Sequence, residues 1–323
     1  VRAIVLSIVA SLFAGCARGP TFEEAPSRVS YSSLEGEKSA VEREELFQYL
    51  NAGNRLLARR SQSLHDGQMQ EDQRDEYEYD ADGRIALQKT FRLQKGVLME
   101  RDRTTFAYDD EGRLTVRTSL FPDGDTWQPS DRWEYAYSDD RLATMTRSGM
   151  QDDAWIPDIQ WQYDYDKERR VTAVRMLTWI ASPERGAPHW EPFTVASYTY
   201  NAAGLLTQFS EKWASSEEGT SRQTFTYKGS TLVSSVDERY ENTAEPRGWR
   251  NYAKYEYART GAEITISAST FVNGAWATDY RALVEMTSRS DSSFFDGAWF
   301  PEPLPEDWDA RIFGVAPWNR YAE

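Results

Sequence analysis

The sequence is poor in the residues that carry most site chemistry. Its 323 residues include one cysteine, Cys16, and two histidines, His65 and His189. A single cysteine excludes an intramolecular disulfide. One cysteine and two separated histidines do not supply the ligands of a Cys/His zinc site. A histidine-activated nucleophile would have to use His65 or His189, and each lies in a polar, loop-like context. Basic residues are also in deficit: 37 Lys and Arg against 52 Asp and Glu give a net charge of −15. A phosphate backbone selects for the opposite sign, so the balance argues against a nucleic-acid partner. What the chain has in quantity is aromatic side chains, 14% of residues, beside 28% charged ones. Disordered chains are poor in aromatics. The mean hydropathy of −0.71 is low for a thick core. Together these values predict a sheet with one aromatic face and one wet face.

The N-terminal run "VRAIVLSIVASLFAGC" has Arg2, an apolar stretch from Ala3 to Ala14, then Gly15 and Cys16. A charged start, a short apolar run and a small-residue border make a secretory signal, too short to span a membrane. With a cysteine directly after "FAG", residues 1–16 resemble the bacterial lipoprotein signal. The resemblance implies cleavage before Cys16, diacylglycerol on its sulfur and acylation of the new amine. It places the protein in the bacterial cell envelope, lipid-anchored, at the outer membrane. Several acyl chains anchor firmly where one is marginal. The rival reading is an ordinary signal peptide. Residues 17–43, rich in Pro, Ser, Gly and Glu at their start, read as a tether. Within them "SAVEREELFQYL" reads either as a short helix capped by Ser39 or as the approach to the first repeat.

A repeat fills residues 44–287. An aromatic–x–Tyr pair ends at Tyr49, Tyr79, Tyr108, Tyr137, Tyr165, Tyr200, Tyr227 and Tyr257, at intervals of 27 to 35 residues. Such a period signals a repeat architecture. Each unit holds two runs that alternate with period two, joined by turns such as "DADGR" and "DDEGR". The fold class is therefore all-β: an antiparallel meander of about sixteen strands. Folding the hairpins about their turns pairs Tyr79 with Ile85 and Tyr77 with Leu87. It likewise pairs Tyr108 with Leu114, Phe106 with Val116, Tyr165 with Val171 and Tyr163 with Ala173. Aromatic–aliphatic cross-strand pairs contribute roughly 0.2–1 kcal/mol each. The other face carries Glu78, Glu134, Gln162, Asp164, Thr199, Thr226 and Glu256. An open sheet of this width would expose its aromatic face, so the meander should curl into a barrel or half-shell. A membrane barrel is the competing reading. Against it, Lys89, Arg175, Glu211 and Glu238 fall in phase with the aromatic face, and charge facing lipid costs roughly 2–4 kcal/mol at the midplane.

The motif Y-x-Y-D-x-x-G-R-[IL] is similar to the YD repeat of bacterial Rhs-type proteins. The resemblance covers about Phe47 to Met286, with its best copies at Tyr77 and Phe106. It implies a β-sheet shell.

Three sets of residues invite a site. Trp127, Trp155, Trp190, Trp249, Trp276 and Trp299 form a second series, and the first three precede a repeat tyrosine by ten residues. They belong near the hairpin ends remote from the Asp–Gly turns. There they either bind a glycan or protein partner or simply close their own hairpins. The turn acids Asp80 and Asp82, and Asp109, Asp110 and Glu111, hold only fragments of calcium-loop spacing, and turn chemistry already accounts for them. Paired acids beside tryptophans also suit glycoside hydrolysis, but these acids recur in every unit where a catalytic pair should occur once. Residues 288–323, with Pro301, Pro303, Pro305 and Pro317, cannot form a central strand. They read as a cap carrying Phe294, Trp299, Trp308 and Trp318, or as a partner-binding tail. No catalytic residue, metal or cofactor is expected. The expected function is an envelope lipoprotein that binds or scaffolds protein or glycan; the alternatives are a polysaccharide-acting enzyme and an Rhs-related toxin or adhesion module.

Overall fold

The computed structural model describes residues 24–35, 38–50, 55–181, 187–229, 231–241, 247–261 and 263–288. Cys16 and the segment from 289 onward, with Trp299 and the expected cap, lie outside the described residues. The described chain forms eighteen strands. They are β1 (Glu24–Glu35), β2 (Lys38–Leu50), β3 (Arg55–His65), β4 (Gln68–Tyr79), β5 (Ile85–Gln94), β6 (Val97–Tyr108), β7 (Leu114–Asp123), β8 (Thr126–Ser138) and β9 (Arg141–Gln151). Then come β10 (Ala154–Tyr165), β11 (Val171–Ile180), β12 (His189–Tyr200), β13 (Leu206–Trp213), β14 (Gly219–Lys228), β15 (Thr231–Glu241), β16 (Gly248–Thr260), β17 (Glu263–Val272) and β18 (Ala275–Ser288). Their hydrogen-bonded order follows the chain, and β1 lies between β18 and β2. That order is a ring, the connectivity of a closed barrel rather than of a half-shell with two bare edges. The eight tyrosine units supply β2 to β17. The first and last strands are additional and close the order by pairing with each other.

Within residues 17–43, expected as a tether with a possible short helix, residues 24–35 instead form β1 and residues 38–43 begin β2. Pairing on both sides satisfies the backbone of β1, which a tether would leave to water. Tyr31 is buried, with the Arg43 guanidinium 5.7 Å from its ring centre.

Contacts group the chain into two compact units. One holds residues 73–197 and 211–217; the other holds the remaining described residues. The repeat is clearest in the first. Asp80 accepts hydrogen bonds from the backbone N–H and from Nε of Arg84, both at 2.8 Å. Gly83 donates to the Asp80 carbonyl at 3.0 Å, and its φ of 83° is the left-handed conformation that glycine adopts freely. Asp109 with Arg113 and Asp166 with Arg170 repeat the arrangement. In the second unit Asn201 takes the aspartate's place and accepts from the Leu205 N–H.

Each turn then leans on the next unit. The Arg84 guanidinium lies 4.7 Å from the centre of the Tyr108 ring, and Arg113 lies 5.0 Å from that of Tyr137. The Tyr108 hydroxyl donates to the Ile85 carbonyl, Tyr137 to Leu114 and Tyr165 to Leu142, each at 2.9 Å. Tyr227 does the same to Leu206 in the second unit, at 3.0 Å. Tyrosine recurs where phenylalanine would fill the same space because its hydroxyl serves a specific carbonyl.

That carbonyl needs a donor because of a β-bulge. The register breaks between Glu78 and Tyr79, and likewise before Tyr108, Tyr137, Tyr165 and Tyr227. Tyr79 pairs with Ile85, Tyr108 with Leu114 and Tyr165 with Val171, as the sequence predicts. The inner pairs differ. Tyr77 faces Gln88, Phe106 faces Arg117 and Tyr163 faces Val174. One extra residue per hairpin, Ala86 in the first case, shifts the partner by one and interrupts the ladder.

The shift also reassigns the charges. Lys89 bonds Glu78, Arg175 bonds Asp164 at 2.6 and 2.9 Å, and Arg222 bonds Glu238 at 2.6 and 2.8 Å. Lys89, Arg175 and Glu238 therefore lie on the wet face, not among the aromatics. The case against a lipid-facing barrel survives in a different form. The aromatic face is the buried one, holding Tyr77, Tyr135, Trp161, Tyr198 and Tyr255. The opposite face is laced with ion pairs at mid-strand, where a lipid-facing surface is apolar.

Tyr137→Phe removes the bond to Leu114 and leaves its carbonyl without that donor. The expected loss is about 1 kcal/mol of unfolding free energy in urea. A second expectation concerns alkali. Burial pushes the Tyr165 and Tyr227 hydroxyls from 10.0 up to about 12. The unfolded chain ionises first, so this stability is whole below pH 10 and is lost between pH 10 and about 12. Urea midpoints should fall across that window, and Tyr165→Phe with Tyr227→Phe should flatten the fall.

Candidate functional site

The two ends of the hairpins differ in chemistry. At the turn end the acids are engaged by their own arginines. Burial pushes the carboxyls of Asp80, Asp109 and Asp166 up, but the backbone N–H and guanidinium of the following arginine outweigh it and hold each below the usual carboxylate range. Asp82 pairs with Arg84 at 2.7 Å and Glu111 with Arg113 at 3.0 Å. Among the described residues no cluster of three His, Cys, Asp or Glu side chains could hold a metal ion.

The tryptophans sit at the opposite end, and a second bulge decides where they face. Trp127 and Trp133 are six residues apart in β8, which by alternation would put both on the aromatic face. The register slips between them: Ser119 pairs with Asp131 but Leu120 pairs with Pro129, leaving Ser130 extra. Trp133 is buried, and Trp127 turns to the wet face. Equivalent slips occur at Asp158, Phe193 and Tyr252. They turn Trp155, Trp190 and Trp249 the same way, and β18 slips between Trp276 and the buried Ala282.

Each ring has neighbours there. In the first unit, Arg103 lies 4.2 Å from the Trp127 ring centre and Arg132 lies 5.9 Å from that of Trp155. Trp190 meets Trp179 edge-on at 5.1 Å, and Phe193 meets Trp213 at 4.8 Å. The last pair is open to solvent, 42% and 45% exposed. In the second unit Trp249 packs against Tyr240 at 5.5 Å with Arg222 at 4.4 Å, and Trp276 packs against Phe271 at 4.9 Å. Sequence reading missed these partners. Their signal is symmetry about a two-residue turn: in "FVNGAW" Phe271 and Trp276 pair directly across Asn273–Gly274.

Deeper on the aromatic face each unit carries polar and charged side chains of its own. Glu45, fully buried, bonds Arg59 at 3.2 Å. Asp75 accepts from Thr90 at 2.7 Å. Trp133 stacks on Trp161 at 5.4 Å and has the Arg117 guanidinium 4.8 Å from its centre. Nearby, Asp131 and Asp158 both approach Arg147 at 3.4 Å. Burial pushes the Asp158 carboxyl up, against the opposing pull of Arg147. The two carboxylates share one guanidinium and so form an ion-pair triad. His189 contacts the Ala187 carbonyl at 3.0 Å through Nδ1.

No family model and no curated protein matches the chain. Solved structures similar to it include a porin-like protein from Bacteroides uniformis, 12% identical with a TM-score of 0.38, covering 82% of this chain and 96% of that one. A porin-like protein from Bacteroides vulgatus is 11% identical with a TM-score of 0.30, covering 82% and 99%. A TcdB2–TccC3–Cdc42 structure is 12% identical with a TM-score of 0.23, covering 78% of this chain and 18% of that one. At these scores none of them bears on what the chain does.

The turn acids set an acid limit. Asp80, Asp109 and Asp166 ionise more readily folded than unfolded, so their stabilisation is present above the unfolded value of 3.8 and is lost as pH falls through the folded values. Melting temperature should be flat down to about that pH and then drop. A triple Asp→Asn variant should be less stable at neutral pH and show a shallower acid limb.

Proposed function

We propose that the protein is a lipid-anchored envelope protein whose closed meander presents a binding surface for a protein or glycan at the tryptophan-bearing hairpin tips. The anchor rests on the run ending at Cys16. One observation carries the binding surface. In the β5–β6 hairpin the position equivalent to Trp127 is Leu98, which pairs with Leu93 across the turn Lys95–Gly96. Closing such a hairpin therefore requires an apolar residue and not an indole. Trp127, Trp155 and Trp276 exceed that requirement, and all lie on the wet face. Large amphipathic rings at partly exposed positions suit stacking on sugar rings or anchoring a protein partner. Binding is favoured over catalysis because the carboxylate pair Asp131 and Asp158 is tied to Arg147.

Trp127→Leu with Trp155→Leu copies the β5–β6 hairpin. Surface changes of this kind stay within about 0.5 kcal/mol in stability. The variant should keep its urea midpoint and lose at least about tenfold in affinity, roughly 1.4 kcal/mol. Titration with purified outer-membrane polysaccharide and with peptidoglycan fragments, followed by tryptophan fluorescence, measures it. Equal affinity of the two proteins for whichever glycan binds would remove the tips from the reading.

A further inference from the structure

β1 fixes the position of Glu24, the first described residue. Its first residue, Glu24, pairs with Ser288, three residues beyond Glu285, which itself lies level with Glu263 beside the Gly261 turn. Glu24 is thus at the turn end of its unit. From there β1 runs to Glu35, which pairs with Lys38 at the tip end. The strand is held on both sides. Ser27 Oγ donates to the Glu285 carbonyl at 3.0 Å, Arg28 pairs with Glu44, and Tyr31 is buried.

Seven residues separate Cys16 from Glu24. Fully drawn out they reach about 29 Å. The twelve residues of β1 cover about 37 Å along the strand. The spacer is shorter than the strand it would have to run back along. Even fully drawn out it falls short of that length, and ordering entropy opposes full extension.

We infer that this unit stands with its turn end toward the membrane and its Trp249 and Trp276 tips away from it, an orientation that rests on the lipid-anchored reading above. Those tips then face away from the bilayer that holds the anchor.

Cys16 is the sole cysteine and carries lipid in this reading, so one introduced cysteine gives one thiol. Ala202→Cys marks the turn end and Ala275→Cys the tip end, and both alanines are exposed. The full-length lipidated protein is labelled with a donor dye and reconstituted in phosphatidylethanolamine–phosphatidylglycerol vesicles carrying an acceptor lipid. Energy transfer should be severalfold stronger from Ala202→Cys. Equal transfer, or stronger transfer from Ala275→Cys, overturns the orientation. Mass analysis of the parent protein separates the two failures. Acylated Cys16 with the wrong transfer order defeats the orientation alone. An unmodified Cys16, with a parent protein that fractionates like Cys16→Ala, defeats the anchor and the orientation with it.

Discussion

The bond from the repeat tyrosines Tyr108, Tyr137, Tyr165 and Tyr227 to a carbonyl of the hairpin before each is the constraint on which neighbouring hairpins depend. A bulge in the preceding hairpin, opposite that hairpin's own tyrosine, interrupts the ladder, and an interrupted ladder leaves a carbonyl to be satisfied. The hydroxyl of Tyr108, Tyr137 or Tyr165 meets it at 2.9 Å. The same ring is covered by the arginine that closes the previous turn, as with Arg84 on Tyr108. Turn, bulge, ring and carbonyl thus form one interlocked device that spans two units. A conservative change at any member is felt in the adjacent hairpin.

The bulges also divide the polarity of the molecule. Because side chains alternate, a single inserted residue exchanges faces for everything beyond it. The bulge at the turn end sends Lys89 and Arg175 outward, where Glu78 and Asp164 neutralise them. The bulge at the tip end sends Trp127 and Trp155 outward and keeps Trp133 and Trp161 inside. Two indoles of the same strand, six residues apart, therefore serve different ends: one packs the interior, the other is presented.

Much of this was legible in the residues. The spacing of Tyr79, Tyr108 and Tyr137 gave the strands, their antiparallel order and the outer rung of each hairpin. The aspartate and glycine of the turns gave the hairpin ends. What alternation alone could not reveal was the bulge, because it has no distinctive residue: Ala86, Ser130, Asp158 and Phe193 share no chemistry. The error it introduced was systematic, placing Leu87 where Gln88 stands and Lys89 among the rings. β1 was hidden for another reason. Its polar sequence, with Ser27, Ser30, Ser32 and Ser33, reads as a tether until a partner on each side supplies the hydrogen bonds.

The charged face and the tip rings bear on each other. A face carrying Glu134 with Arg132 and Glu238 with Arg222 cannot be bathed in lipid without heavy desolvation of its ion pairs. In water those pairs are individually weak. Their collective effect is to keep the sheet surface hydrated and unattractive to other sheets. Against such a background an indole is the exception, and the proposed binding surface rests on it. Arg103 beside Trp127 and Arg222 beside Trp249 make it a mixed surface, apolar ring next to fixed cation. Arg222 itself donates two hydrogen bonds to Glu238, which fix the cation in place. Preorganised rings and cations lower the entropy cost of association, which is the advantage that the proposed binding surface would use.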